Sequence, residues 1–403
     1  MKGNKMTENV IKVNNLPALT WNWLKMNSLQ LEKGSGLSAG NIETDIPSDI
    51  RLGGISAEDK QVLLEAETGM GKEMAELVQA AATSQQASGN GVIEKSGQAS
   101  GNGVIELSAA KGVKESVPAR LRFTGAGQAA DGSDASINGS AAGIINTKSS
   151  ISSVLISAEE DSEMVIISDM TGISAGDVRN GVETRVLVKD RAKVKLVEIY
   201  KGEEDNEYFS NIGAVVGEEA EFCLVQLFLG GKKVSAGCAV ALKGDKSLYK
   251  ERTAYEAEAG AKYDFNYVTR HIGKETESDV HAGGVLHEKA EKTMRQTIDF
   301  IRGCAGSKGA EREEVLLMDE ELVNKTIPLI LCDEEDVEGA HGASIGKLSE
   351  EVLFYLRARG LSDEAIYSLM ASGKLISVVN EIGDEVTQKM ATELIMGEVV
   401  EEE

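Results

Sequence analysis

The stretch TIPLILCDEEDVEGAHGASIGKLSEEVLFYLRARG, residues 326–360, decides how the rest of the chain is interpreted. Its apolar run, Ile327–Cys332, predicts a β-strand. Pro328 has no backbone N–H, so it suits the beginning of a strand or the edge of a sheet and argues against a helix interior. Four acidic residues at 333–336 then end the run. The stretch therefore begins with a strand.

The second half of this stretch predicts a turn and then a helix. His341 lies between glycines in the segment Gly339–Gly342, and glycine accepts positive φ angles, so we expect a sharp turn at the histidine. Ser349 is a suitable N-cap, because its hydroxyl can accept a backbone N–H of the first helical turn. Gly360 is a natural helix stop.

Further helices are predicted towards both ends of the chain. Apolar residues recur at helical spacing over residues 56–82, with an interruption at Gly69 and Gly71. Beyond residue 349, glycines punctuate a helical pattern. The helices predicted there cover about 350–359, 363–372, 374–382 and 385–396.

Between residues 118 and 330 the pattern is that of strands. Phe222–Leu229 is apolar on nearly both faces, as expected for a strand that is covered on both sides. A motif with a central alanine recurs four times, with spacings of 28, 41 and 29 residues: Ala192, Ala220, Ala261 and Ala290. Repeated turn–strand units favour a β-solenoid, whereas the irregular spacing also allows a β-sandwich.

Two features lie nearer the N-terminus. Trp21 and Trp23 predict a small hydrophobic anchor that docks the N-terminus onto the body. The octapeptide Ala87–Glu94 is repeated at Ala99–Glu106. Its glycine, serine and asparagine content predicts a loop or linker with two short extended pieces.

Composition and charge argue against several classes of partner. A formal net charge of −24 opposes binding to nucleic-acid phosphates or to an anionic membrane. Aromatic residues make up 4% of the chain, too few for a protein that binds nucleic acid by stacking. No segment approaches the roughly 20 apolar residues of a membrane span, and the N-terminus has no signal-peptide pattern. We therefore expect neither a nucleic-acid nor a membrane partner.

The four cysteines indicate a reducing compartment. They are scattered along the chain and form no Cys-x-x-Cys pair, which argues against zinc-ribbon and thioredoxin-like sites. Scattered thiols in a chain of 403 residues are typical of a reduced protein in the cytosol. The sequence therefore predicts a cytoplasmic location. The cysteines are Cys223, Cys238, Cys304 and Cys332.

Two glycine-rich segments resemble phosphate-binding loops without meeting their requirements. Thr68–Glu73 is similar to the end of a Walker A motif, but the leading glycine is missing and Glu73 replaces the required Ser or Thr. Gly125–Ala130 has the letters of a dinucleotide fingerprint, but a turn-forming segment follows where a helix is needed. We therefore expect that the chain neither binds nor hydrolyses ATP.

His341 and Cys332 are the candidate metal ligands. Cys332 lies nine residues before His341, and five carboxylates lie between them. Thiolate, imidazole and carboxylate are all competent ligands for iron. From the residues alone, a turn histidine held by backbone groups is the alternative. The other histidines, His271, His281 and His287, are expected to be surface or hydrogen-bonded side chains.

The motif His-Gly-Ala-Ser-x-Gly-x-Leu at His341–Leu348, followed by Leu-Phe-Tyr-Leu-Arg-Ala-Arg-Gly at Leu353–Gly360, closely resembles the SufB/SufD family of iron–sulfur cluster assembly proteins. Two details resemble the SufD branch. Gly342 follows the histidine where SufB members usually have glutamate. Glu313 stands where SufB members carry a scaffold cysteine.

The resemblance implies a mainly β fold, in which a right-handed parallel β-helix core is joined to a helical N-terminal region and a C-terminal helical domain. The helical spacing and the Gly/Ser-rich composition described above place a partly helical N-terminal region at 1–85 and a Gly/Ser-rich repeat linker at 86–117. The β-helix core follows at 118–348 and the helical domain at 349–403. The resemblance thereby favours the solenoid over the sandwich.

The same resemblance implies a SufD-like, non-enzymatic scaffold subunit of a Suf-type iron–sulfur assembly complex. Its partners would be a SufB-like scaffold chain, a SufC-like ABC-type ATPase and, alternatively, a second copy in a homodimer. Iron or an iron–sulfur cluster would bind at a partner interface, with no intrinsic cofactor. His341 would be a ligand, and Cys332 would replace the cysteine that many members have at the position of Gly339.

Partner binding by the helical domain is assigned to Phe354, Tyr355 and Arg359, since the helices of this region dock the ATPase in the family. A different class, a β-helix carbohydrate-active enzyme such as a lyase or esterase, is the alternative function. The low aromatic content, the free cysteines and the absence of a signal peptide argue against that enzyme.

Overall fold

The computed structural model describes residues 10–19, 25–33, 37–86, 100–124, 148–173 and 177–397. The strands, in chain order, are β1 (Val10–Val13), β2 (Leu29–Glu32), β3 (Leu37–Ala39), β4 (Asn41–Asp45), β5 (Ile50–Leu52), β6 (Ser100–Asn102), β7 (Val104–Ala109), β8 (Ala119–Thr124), β9 (Lys148–Ala158), β10 (Glu163–Met170), β11 (Asp177–Val188), β12 (Lys193–Gly202), β13 (Glu207–Val216), β14 (Glu221–Gly230), β15 (Lys233–Leu242), β16 (Leu248–Ala257), β17 (Lys262–His271), β18 (Glu277–Leu286), β19 (Glu291–Phe300), β20 (Ser307–Leu317), β21 (Val323–Cys332) and β22 (Val337–Gly346). The helices are α1 (Ala57–Glu65), α2 (Lys72–Gln86), α3 (Glu350–Arg357), α4 (Asp363–Val379) and α5 (Glu385–Met396).

Successive strands alternate between two sheets, which is the topology of a parallel β-solenoid. The even sheet runs β22-β20-β18-β16-β14-β12-β10-β8-β4-β6, and the odd sheet runs β21-β19-β17-β15-β13-β11-β9-β7-β5, with β3 beside β9. Neighbouring strands from β8 to β22 and from β7 to β21 are parallel, so each coil adds one strand to each sheet. The solenoid, which the family resemblance favoured over a β-sandwich, is confirmed.

The N-terminal end of the solenoid is built differently. There β4 pairs antiparallel with both β6 and β8, and β5 pairs antiparallel with β7. The second copy of the repeated octapeptide contributes β6 and the first residues of β7 to these sheets. The first copy, Trp21, Trp23 and Gly125–Ala130 lie outside the described residues.

The recurring alanine motif marks the corners of the coils. The residue before each alanine has a positive φ, for example +58° at Arg191 and +53° at Glu219, which turns the chain sharply into the next strand. The alanine itself is buried, because only a small side chain fits inside the corner. Two of the four corners precede strands of the even sheet and two precede strands of the odd sheet. The spacings of 28 and 29 residues are therefore single coils, and 41 is a coil and a half.

The core lies in two layers on the even sheet. Inside the solenoid, Phe222, Leu224 and Phe228 of β14 pack in the largest apolar cluster. On the outer face of the same strand, Val225 and Leu227 pack beneath α4 and α5. The prediction that this strand is covered on both faces is confirmed, which explains why it is apolar almost throughout.

The C-terminal helices follow the sequence pattern with one exception. Ser349 caps α3 by accepting the backbone N–H of Val352 at 3.3 Å, and Gly360, with φ of +89°, follows the end of that helix. We predicted a break at Gly373, which is wrong, since α4 continues through it. Burial of Ala371 and Leu375 against the sheet outweighs the cost of about 1 kcal/mol for an exposed helical glycine.

The N-terminal helical pattern divides into two helices at its glycines, as predicted. α1 ends at Glu65 and α2 begins at Lys72, with Gly71 at a φ of +91° between them. Both helices cover the outer face of the odd sheet. Arg185 fixes the end of α1, because its guanidinium donates to the carbonyls of Leu63 and Ala66 at 2.8 and 2.9 Å.

Candidate functional site at the open end of the solenoid

The C-terminal end of the solenoid exposes two strand edges. Within the described ranges, β21 pairs only with β19 and β22 pairs only with β20. Pro328 lies in the middle of β21, where its missing N–H is tolerated because the strand is at the edge of the odd sheet. The prediction that Pro328 marks a sheet edge is confirmed. The backbone groups on the free side of each edge are available to another chain.

His341 lies in the middle of β22, so the prediction of a sharp turn at this histidine is wrong. Neither Gly339 nor Gly342 has a positive φ, and both have the extended backbone of the strand. Pairing with β20 holds this extended conformation. Little space is left for a side chain at Gly339, since a Cβ there would lie 3.1 Å from the Phe300 ring and 3.3 Å from Ile330.

The register places His341 on the interior side of the solenoid. Glu311 of β20 is its direct neighbour in the ladder, and buried and exposed residues alternate along β20 with Glu311 on the buried side. Register neighbours in a parallel sheet point to the same face. His341 is nevertheless exposed, because no further coil of the described structure covers it. Its imidazole is therefore presented at the open end.

Glu311 is an unusual buried carboxyl. It is 2% exposed, and its Oε2 atom has no hydrogen-bond partner within the described structure. Burial and, secondarily, the nearby carboxylate of Glu251 raise the pKa of Glu311 to about 9. Sequence reasoning missed this residue, because nothing in the residue types of β20 distinguishes the buried Glu311 from the exposed Glu314 of the same strand.

Cys332 is the last residue of β21 and is exposed. Its thiol donates to the carbonyl oxygen of Glu334 at 3.0 Å. Cys332 and His341 thus lie on the two terminal strands, one at a corner and the other in mid-strand. Among the described residues, no group of three His, Cys, Asp or Glu side chains is arranged to hold a metal ion.

Glu313, at the position of the SufB cysteine, belongs to a buried ion pair. Its carboxylate contacts the Lys292 ammonium, and both side chains are fully buried. Thr326 and Tyr255 also donate to it, at 2.6 and 3.1 Å. Burial lowers the pKa of Lys292. This position is structural in the present chain.

Two of the remaining histidines are hydrogen-bonded to neighbouring polar groups. His271 is buried, with Nδ1 2.7 Å from the Thr276 hydroxyl and Nε2 3.0 Å from the Ser278 hydroxyl. Burial lowers the pKa of His271 to about 4. His287 lies 2.9 Å from Glu256, and this hydrogen bond raises its pKa. The third, His281, has its Nε2 atom 3.7 Å from Glu314, and this atom has no hydrogen-bond partner within the described structure.

An exposed aromatic surface lies on α3. Phe354 is 75% exposed and Tyr355 is 55% exposed, and the Arg359 guanidinium lies 4.7 Å from the centre of the Tyr355 ring. The neighbouring Leu353 is buried. We call Phe354, Tyr355 and Arg359 the α3 surface. Large apolar side chains exposed together are typical of protein-binding surfaces.

The loop that resembles a Walker A motif packs against the odd sheet. The backbone N–H of Gly69 donates to Ile212, and that of Met70 donates to the Asn211 side chain at 2.9 Å. A Cβ on Gly69 would lie 2.0 Å from the backbone nitrogen of Cys238. The amides that would cradle a phosphate are therefore used to hold this loop on the odd sheet.

Comparison with known proteins identifies the family to which this β-solenoid belongs. Residues 139–374 match the family model described as "SUF system FeS cluster assembly, SufBD core domain". The match covers more than half of the chain, and the protein belongs to this family. The family membership predicted from the motifs around His341 is confirmed.

Individual relatives point in the same direction. The iron–sulfur cluster assembly protein SufD of Bacillus subtilis is 25% identical over 250 residues, which cover 60% of this chain and 56% of that protein. SufB of the same organism is 25% identical over 162 residues, covering 40% of this chain and 35% of SufB. A SufBD family protein of Mycobacterium leprae is 24% identical over 222 residues, covering 55% of this chain and 25% of that protein.

The chain thus spans about half the length of this SufD and less of the other two relatives. The alignment with SufD covers more of the chain than the alignment with SufB, in agreement with the features of the SufD branch. Over the described ranges, none of the helices combines the length and the apolar content that crossing a bilayer requires.

Proposed function

We propose that this protein is a SufD-like scaffold subunit of a Suf-type iron–sulfur cluster assembly complex. The observation that carries the proposal is the position of His341, an exposed imidazole in the middle of a terminal strand with one free edge. A ligand in such a place is suited to a site that two chains complete together. Family membership supplies the chemistry, which is the assembly of iron and sulfide.

The partner at this end is a SufB-like chain in the proposal. The free edges of β21 and β22 can extend their ladders onto another chain by hydrogen bonding. His341 then contributes one donor to iron or a cluster at the interface, and the SufB-like chain contributes others. Cys332 is the second candidate donor from this chain. A homodimer through the same edges is the alternative arrangement.

The α3 surface is the proposed docking site for a SufC-like ATPase. Exposed aromatic and arginine side chains are the residue types that dominate binding energy at protein interfaces. Nucleotide hydrolysis in the ATPase would move the two scaffold chains relative to each other and open the interface that carries His341. This chain would carry out no catalytic step itself and would act in the cytoplasm.

Affinity purification of the tagged protein from its native cell tests the proposal. We expect a SufB-like chain and a SufC-like ATPase to co-purify and to be identified by mass spectrometry. Recovery of the chain alone would contradict the proposed complex, and light scattering would then show whether it is a dimer. Cleavage of a polysaccharide by the purified protein would favour the carbohydrate-active alternative.

A further inference from the structure

Buried carboxylates inside the solenoid are normally hydrogen-bonded. Glu198 accepts hydrogen bonds from Ser210 and Gln226 at 2.7 Å. Glu251 accepts from Tyr249 and Thr253 at 2.8 Å. Glu313 accepts from Lys292, Thr326 and Tyr255. Glu311 is different, because no hydrogen bond or ion pair involves its side chain in the part of the chain that the structure describes.

Glu311 also differs in its position along the solenoid. In the register of the even sheet, Glu251, Val280, Glu311 and His341 form one interior column, each on the next strand. Strands in a sheet are about 4.8 Å apart, so the Glu311 backbone lies one strand spacing from that of His341. The unpaired carboxyl is therefore directly beneath the open end, and the hydrogen-bonded Glu251 lies two strands deeper.

An unpartnered buried carboxyl destabilises the isolated chain. Removing such a group from water without a compensating bond costs on the order of 1–3 kcal/mol, and more when it is ionised. Leucine or valine would avoid this cost at a position with apolar neighbours such as Val280. A cation at the open end would provide the missing partner, because a carboxylate can coordinate it while the imidazole above supplies a second donor.

We infer that Glu311 is a second donor of this chain, beside His341, to the iron that binds at the open end of the solenoid. The inference rests on the proposed function and adds to it a residue in the interior of the penultimate even-sheet strand. Imidazole nitrogen and carboxylate oxygen together suit iron(II), which commonly binds a mixed set of these ligands. Two donors leave the remaining coordination positions to the partner chain or to water.

The interior of the solenoid beside the two donors is apolar. On the interior side, Gly339 faces Phe300 and Ile330, which form an apolar wall beside the column. Such a wall limits access of water from within the solenoid and strengthens the attraction between the ion and the carboxylate.

Iron(II) binding by the full-length chain under anaerobic conditions tests the inference. Isothermal titration with Fe²⁺ as the only added ligand compares the wild type with Glu311→Gln, His341→Ala and the double variant. Each single variant should weaken binding at least about tenfold. The double variant should lose little more than either single variant, because the two donors hold the same ion.

Glu198→Gln is the matched control, since it makes the same change at a hydrogen-bonded carboxylate four strands deeper in the even sheet, and it should leave Fe²⁺ affinity within about twofold of the wild type. Circular dichroism checks that each variant is folded. Glu311→Met, which keeps the side-chain volume, replaces Glu311→Gln if the amide prevents folding.

Two outcomes would overturn the inference. If His341→Ala loses Fe²⁺ and Glu311→Gln binds it normally, Glu311 is not a donor and the proposed role of His341 stands. If the wild-type chain binds no Fe²⁺, this chain offers no two-donor site, and co-purification with the partners still decides the proposed function separately.

Discussion

Lys292 and Glu313 form an ion pair between the two sheets, and both side chains are completely buried. Lys292 belongs to the odd sheet and Glu313 to the even sheet, so the pair joins two strands across the interior one coil below the open end. Charges in such a place are costly to remove from water and are tolerated because they compensate each other.

Removing one member of this pair should destabilise the protein strongly. We expect Glu313→Ala or Lys292→Ala to lower the free energy of unfolding by about 3–5 kcal/mol, because each leaves an unpaired buried charge. The double variant Lys292→Met/Glu313→Gln should lose much less, since no buried charge remains. Urea unfolding followed by circular dichroism measures all of these. Equal losses in the single and double variants would show that the pair is not coupled.

His341→Ala should separate ligand chemistry from stability. The side chain is exposed, so we expect the free energy of unfolding to change by no more than about 0.5 kcal/mol. In the co-expressed complex, assembly should be retained and the content of iron and sulfide should fall sharply, because a methyl group cannot replace an imidazole donor.

Cys332→Ser in the same complex tests the second candidate donor. Loss of iron and sulfide would show that this thiol substitutes for the cysteine that is absent at Gly339. Normal contents in this variant, with loss in His341→Ala, would leave Cys332 without a role in the site. Normal contents in both variants would contradict the site altogether.

The α3 surface should be tested by point substitutions. Deleting residues 361–403 would remove α4 and α5 and expose the apolar outer face of the even sheet, including Val225 and Leu227. Phe354→Ser and Tyr355→Ser avoid this damage, because both side chains are mostly exposed. Each should weaken ATPase binding by about 2 kcal/mol or more if it is a hot spot.

Val386→Ser is the control for these variants, since Val386 on α5 is 69% exposed and lies outside the α3 surface. Pull-down with the ATPase should show unchanged binding for this control. Undiminished binding by both α3 variants would place the docking site elsewhere.

His271 should make the protein less stable in mild acid. The unfolded chain takes up a proton near pH 6.5, whereas the native state resists protonation until about pH 4, so stability falls as pH decreases between these values. Between pH 7 and pH 5 this costs about 2 kcal/mol. His271→Gln should show a correspondingly smaller loss over that interval in urea unfolding. Equal pH dependence in both proteins would contradict the assignment.

Much of the fold could be predicted from local features of the sequence. The glycines at 69 and 71 divided the first helical pattern, Ser349 began α3, and Pro328 indicated a sheet edge. These features act through neighbouring backbone groups, so a short stretch of sequence contains all that is needed. Gly373 was misleading, because packing of α4 on the even sheet outweighed its weak helical propensity.

The sequence by itself determined the family and the identity of His341 as a candidate ligand, since both depend on motifs whose residues are near one another in the chain, and the family resemblance in turn favoured the solenoid over the sandwich. Only the tertiary structure decided that His341 lies in a strand, that Glu311 is beneath it and that Glu313 is paired with Lys292. These relationships join residues from different coils. The register between coils depends on the number of residues in each corner, which differs from one coil to the next. Successive coils are 26 residues apart from Glu207 to Lys233 and 32 apart from Glu291 to Val323, so the vertical neighbours are fixed only when the strands pair.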